Sequence, residues 1–165
     1  MRSIPKSISA AGLAACLTMP GLAFATTATG SLTVTATVTT ACSIVALPLA
    51  FGNYDPTSST DLNGSTTATL TCTPGTAYKI GMDAGAGSGA TVTLRKMTSG
   101  SNTLNYKLFR DSARTLNWGN TPGTDTLDGT ATLLTTLINI YGTIPNSQAV
   151  SAGAYTDTVT VTVTY

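Results

Sequence analysis

The run "TDTVTVTVTY" at 156–165 constrains this chain most. Val159, Val161, Val163 and Tyr165 fall on one side of it and the threonines between them on the other. A period of two is the signature of a β-strand with one buried face. Threonine and valine branch at Cβ, which suits a pleated sheet better than a helix. The same alternation recurs along the chain. It places Leu32, Val34, Ala36 and Val38 together, then Ala68, Leu70 and Cys72, then Tyr78, Ile80 and Met82. Val92 and Leu94 follow, and then Leu104, Tyr106 and Leu108. A more continuously apolar run surrounds Leu137, Ile138, Ile140 and Tyr141. Turn signals separate the runs, at 73–75 ("TPG"), 85–89 ("GAGSG"), 99–102 ("SGSN"), 120–123 ("NTPG") and 127–129 ("LDG"). Many short strands without helix-forming mixtures predict an all-β sandwich. No second domain, long linker or internal repeat is visible. The closing run ends the sequence, so a partner for its far edge is expected from somewhere other than a following strand.

The first 25 residues read as a removable secretory leader. Arg2 and Lys6 supply the basic start, "SISAAGLAACL" a short apolar stretch, and "AFA" at 23–25 the cleavage site. "LAAC" at 13–16 resembles a lipoprotein box that would instead lipidate Cys16, but the apolar stretch before it is very short. The apolar stretch is also too short to span a bilayer. Cleavage after Ala25 leaves 140 residues, enough for one domain with a core. Two cysteines then remain, Cys42 and Cys72, and an even count in an exported domain reads as a disulfide. Closing a loop of 30 residues is worth about 3–4 kcal/mol in the chain-entropy account.

The side-chain inventory excludes most chemistry. The chain has no histidine and no glutamate, so an imidazole base or metal ligand is missing, and a disulfide leaves no thiol nucleophile. Six basic residues against seven aspartates after Ala25 give no basic footprint for nucleic acid. "GAGSG" at 85–89 is followed by another strand pattern, not by a helix, so it reads as a hairpin loop instead of a phosphate cradle. Asp125 and Asp128 are too few for a calcium loop and read as a solvated turn. "NGS" at 63–65 fits a glycosylation acceptor and equally a turn. Arg110, Asp111, Arg114 and Trp118 form the one charged and aromatic cluster, read as a loop with a partly buried tryptophan and, in the alternative, as a contact surface. The expectation is a non-enzyme with no cofactor, no metal and no small-molecule substrate.

The first alternating run stands apart. It begins close to the expected mature N-terminus, carries no charge, and is joined to the rest by only "TTAC" at 39–42. So short a joint hardly lets it fold back beside 157–165.

Four stretches carry a resemblance: "LAFGNYDP" (49–56), "LTCTPGTAYKIGMDAG" (70–85), "LNYKLFRD" (104–111) and "YGTIPNSQAVSAGAYTDTVTVTVTY" (141–165). In this order they resemble the spore coat protein U domain family, the subunit module of archaic, Csu-type chaperone–usher pili. The resemblance implies an incomplete immunoglobulin-like β-sandwich lacking its last strand and completed by donor-strand complementation. It implies three parts: a leader at 1–25, a donor extension at 26–40 and the pilin-type domain at 41–165. Leu32, Val34, Ala36 and Val38 would be the donor side chains. Val159, Val161, Val163 and Tyr165 would mark the acceptor-cleft edge strand, and Cys42–Cys72 the disulfide. The implied partners are identical or homologous pilus subunits, a periplasmic chaperone and an outer-membrane usher, with no nucleic acid. The implied location is the cell surface, reached through the periplasm, and the implied role is a shaft or adaptor subunit serving adhesion and biofilm formation. A self-contained secreted binding module, or a coat protein of a resistant cell, are the alternative readings of the same sandwich.

Overall fold

The computed structural model describes residues 25–165, so Cys16 and the expected leader apart from Ala25 lie outside the described residues. The compact unit is Thr37–Tyr165. It contains β1 (Cys42–Ala46), β2 (Leu62–Cys72), β3 (Ala77–Met82), β4 (Arg95–Ser99), β5 (Asn102–Phe109), β6 (Leu127–Thr130), β7 (Thr135–Ile144) and β8 (Val161–Thr164). Among the described residues there is no helix. Residues 25–36, described by themselves, carry no strand.

Two sheets enclose one core. The larger runs β1-β2-β7-β5-β4 and the smaller β6-β3-β8, and every named pairing is antiparallel. β2 is the spine of the larger sheet, paired to β7 from Leu62↔Ile144 to Thr71↔Thr135 and to β1 from Cys42↔Cys72 to Ala46↔Ala68. The disulfide expected between Cys42 and Cys72 is formed, joining directly opposed residues of these two strands. The apolar runs bury Ala68, Leu70 and Cys72 from β2, Ile80 and Met82 from β3, Leu104, Tyr106 and Leu108 from β5, and Ile138 and Ile140 from β7, while Tyr78 is half-buried and Leu137 is exposed.

Two segments, 116–119 and 156–161, cross between the sheets, and a third, 47–54, packs over the larger one. Residues 116–119 leave β5, where Trp118 N–H donates to Leu108 O, and reach β3, where Met82 N–H donates to Gly119 O (2.9 and 2.8 Å). Trp118 is wholly buried at this point, deeper than a partly buried loop residue, and its Nε1–H donates to Ile80 O at 2.9 Å. Residues 47–54 leave β1 and pass across the larger sheet, where Gly64 and Gly142 face each other in register. A side chain on either glycine would press into the Phe51 ring, which fills the space they leave. Residues 156–161 lead from β4 to β3.

Four readings from sequence are corrected. "TVTL" at 91–94 is a tight turn closed by a Thr91↔Leu94 bridge, because the Thr91 hydroxyl takes the Leu94 N–H that a strand would use (3.1 Å). "LDG" at 127–129 is not a turn but β6, where Asp128 stands opposite Lys79 and pairs with it at 2.5 Å. "NGS" at 63–65 is not a turn but part of β2, for the packing reason just given. The closing run is a strand only over Val161–Thr164, since its first half belongs to the crossing.

Candidate functional site

The sandwich is open on one side, between β1, which ends the larger sheet, and β8, which ends the smaller one. The two strands approach each other but form no ladder. Each has one hydrogen-bonding edge without a strand partner among the described residues. Unsatisfied ladder groups along an apolar edge are a template for another strand.

Side-chain burial marks the same gap. The core residues of β2, β3, β5 and β7 are at most 6% exposed, from Ile80 at 0% to Ile138 at 6%. Val159, Val161 and Val163, and Cys42 and Ile44 opposite, also pack against the core but are only half-buried. Val159, Val161 and Val163 therefore form the common face expected of them, while Tyr165 stands 59% exposed just past β8. Elsewhere on the compact unit lies a groove of about 770 Å³. Leu49, Phe51 and Tyr54 line it together with Val150 and Tyr155, and Leu104 contributes from β5. None of the lining residues is charged.

Polar side chains hold the walls. Tyr54 Oη donates to Pro145 O (3.1 Å) and accepts from Gln148 N–H (2.8 Å). Gln148 uses its amide like a peptide group, accepting from Asn105 N–H and donating to Asn105 O (2.8 and 2.9 Å). It thereby continues the ladder on β5 past the end of β7. On the β8 side, Tyr106 Oη donates to Asp157 Oδ2 at 2.6 Å. Burial, followed by this bond to a carboxylate, raises the Tyr106 pKa far above its ordinary value, so the hydroxyl remains a donor. Asp83 is shifted the other way. Burial opposes its charge, but hydrogen bonds from Thr160 and Gly85 and the nearby Arg95 charge outweigh it and lower its pKa.

The first alternating run forms no strand. Leu32, Val34 and Val38 are 81–87% exposed, and Ala36 is exposed as well. Thr39 and Ala41, at the start of the compact unit, hydrogen-bond to Thr73.

The remaining sequence candidates take structural positions. Arg110 donates to Thr126 O, and Arg114 donates to Gly142 O and Gly64 O (both 3.3 Å) while lying over the Tyr141 ring. Asp111 accepts from Thr115 and Leu116 N–H groups, and Asp125 from Thr121 N–H (2.7 Å). Among the described residues no acidic or cysteine cluster could hold a metal. Gly85–Gly89 is a loop between strands.

Sequence reasoning missed three parts of this region: the packing of Ile44, Leu49 and Phe51, the Gln148–Tyr54 brace, and the Tyr106–Asp157 bond. Leu49, Phe51 and Tyr54 sit in "LAFGNYDP", and Gln148 in "YGTIPNSQAV", so the signal was present as motif without geometry.

The topology and the open edge define a class: a two-sheet, immunoglobulin-like β-sandwich with one side left open. The chain belongs to the Spore Coat Protein U domain family, whose match covers residues 28–162. It is 38% identical over 180 aligned residues to Protein U of Myxococcus xanthus, covering all of both chains. Among solved structures it resembles a chain of the CsuC–CsuE chaperone–tip adhesion subunit pre-assembly complex from archaic chaperone-usher Csu pili of Acinetobacter baumannii. The identity is 24% and the TM-score 0.58, over 78% of this chain but only 41% of that one. The E. coli Hda pilus minor tip subunit HdaB is more distant, at 16% identity and a TM-score of 0.39 over 73% of this chain and 79% of that one.

Proposed function

We propose that this protein is a structural subunit that polymerises by strand exchange, as the shaft or an adaptor of a surface pilus. The observation that carries the reading is the unpaired edge of β8 opposite β1, in a chain that also carries an exposed, uncharged, alternating run. Residues 26–39 of one copy are the donor, with Leu32, Val34, Ala36 and Val38 as the buried face. The gap flanked by Val159, Val161 and Val163 in the next copy is the acceptor. Fourteen residues in extended form reach about 46 Å, ample for the length of a strand. Burying those four side chains contributes on the order of 5–8 kcal/mol, and each ladder hydrogen bond adds about 1 kcal/mol. An extended segment that joins an open sheet edge gains affinity from its backbone hydrogen bonds and specificity from its alternate side chains.

An unpaired valine-rich edge is an aggregation hazard before assembly. A periplasmic chaperone that lends a strand, and an outer-membrane usher where strands are exchanged, are the partners this reading requires. Its setting is the cell surface, and its biological role adhesion and biofilm formation. The likeness in fold to a chain from a chaperone–subunit complex supports the reading. Charge in the donor tests it: Val34→Asp places an unpaired carboxylate in an apolar gap and should abolish assembly while leaving the unfolding midpoint unchanged. Unchanged assembly would refute it.

A second reading has its own support. Full-length similarity to Protein U, in a family named for a spore coat, favours a coat protein of a resistant cell. Such a coat could use the same strand exchange, and the presence or absence of thin surface fibres on vegetative cells separates the two. A self-contained binding module is less favoured, because residues 31–39 form no strand within the described chain.

A further inference from the structure

Asp157 lies where the chain leaves the larger sheet for the smaller. Just before it, Thr156 exchanges two backbone hydrogen bonds with Thr98 of β4 (2.8 and 3.1 Å). Just after it, Thr160 donates its N–H to the Asp83 carboxylate (2.9 Å) and accepts the Asp83 N–H (3.1 Å) at the end of β3. Between these two points the Asp157 carboxylate gathers three donors: Tyr106 Oη (2.6 Å), Ala86 N–H (2.7 Å) and its neighbour Thr158 N–H (2.8 Å). Room for the carboxylate exists because position 85 is glycine, where any Cβ would overlap it.

Arg95 lies beneath this crossing, 0% exposed. All its hydrogen bonds go to carbonyls: Asp83 O and Val92 O (both 2.8 Å), Met82 O (3.0 Å) and Trp118 O (2.7 Å). It thus ties β4, the end of β3 and the Trp118 crossing into one block. Asp157 and Asp83 fasten the start of the β8 segment to that block. Beyond this anchor β8 relies on its ladder with β3, so Val161–Thr164 is paired on one edge only among the described residues.

The geometry points to Asp157, with Tyr106 as its donor, as the positioning residue that fixes the height and direction of the β8 edge before a strand enters. The inference rests on the strand-acceptance reading and deepens it. A strand pairs quickly only with an edge already held straight, since ordering that edge during entry costs conformational entropy. Once a strand has entered, its own ladder holds β8, and the anchor matters less. Cutting the anchor should therefore slow capture and leave release unchanged. A merely structural role would loosen β7 and β8 alike.

The test uses the full chain with Tyr106→Phe and, separately, Asp157→Asn. Hydrogen exchange is followed at 157–164 and at 138–144, and capture and release of a labelled peptide of residues 26–39 are timed. Each variant should speed exchange at 157–164 by about tenfold or more, the scale of one hydrogen bond to a charged group. Exchange at 138–144 should stay constant, capture should slow by about the same factor, and release should be unaltered. Unchanged exchange at 157–164 in both variants would overturn the proposal, as would equal acceleration in both segments. If the unmodified protein captures no peptide, strand acceptance itself fails, while the exchange comparison still decides whether Asp157 holds β8.

Discussion

β7 and β8 both turn apolar side chains inward and meet opposite fates. β7 carries Ile138, Ile140 and Ile144 inward, is paired along its length by β2 and on its other edge by β5 at Tyr141–Thr143, and buries all three to 6% or less. β8 carries Val161 and Val163 inward, is paired only by β3 among the described residues, and leaves both partly wet. Composition does not account for the difference, since valine is as apolar and as β-prone as this position needs. The difference lies in neighbours. The inward face of β7 lies in the middle of the larger sheet, while that of β8 borders the open side of the sandwich. β8 has the face of a central strand and the position of an edge strand. Strand exchange would resolve that mismatch, because an incoming strand turns β8 into a central one.

Mutations should reproduce the asymmetry. The largest effect is expected in the dry core: Ile140→Ala should lower unfolding stability by about 3–4 kcal/mol, through lost transfer energy and a cavity that cannot collapse. Urea titration with an unchanged slope checks it. Opening the Cys42–Cys72 link by Cys72→Ser should cost about 3 kcal/mol, visible in the same titration and as lower export yield. A free-thiol assay on unreduced, denatured protein should find no thiol at either position. Val161→Ala should cost only about 1 kcal/mol in the isolated chain, since its side chain is already partly in water. In the assembled polymer its cost should rise toward the fully buried value, and an equal cost in both states would break the comparison.

The smallest effect is on acid sensitivity. Because the folded-state pKa of Asp83 lies below its ordinary 3.8, its charge contributes stability that is present above that value and lost as pH falls through the folded pKa. Asp83→Asn should flatten the loss of stability below about pH 4 in thermal melts, and an unaltered acid limb would show that the Thr160 contacts do not depend on its charge.

Much of this was legible in the sequence, and the illegible part has a common cause. The inward residues of β2, β5 and β8 follow from period-two alternation, because one face of each strand must be apolar, whereas the continuously apolar run of β7 does not tell inward Ile138 and Ile140 from exposed Leu137. The disulfide follows from two cysteines in a chain expected to be exported. "TVTL" misled because threonine alternation is the same in a strand and in a turn whose hydroxyl captures a backbone N–H. Asn63–Gly64 and Asp128–Gly129 misled for the converse reason, since their turn chemistry is overridden by partners across the sheet, Gly142 for one and Lys79 for the other. The Asp157 anchor was invisible because the fold brings its partners Tyr106 and Ala86 to it from 51 and 71 residues away in sequence. Local pattern decides which face is apolar, while tertiary neighbours decide whether that face is covered.

Residues 26–39 carry the central claim, that the missing neighbour of β8 is the same segment of another copy. Size exclusion and electron microscopy of the exported protein, intact against deleted for Thr26–Thr39, address it most directly. Strand exchange predicts ladders of multimers and thin fibres from the intact protein and none from the deletion. Equal polymerisation of both would contradict it, as would an intact protein that stays monomeric with residues 31–39 protected from exchange.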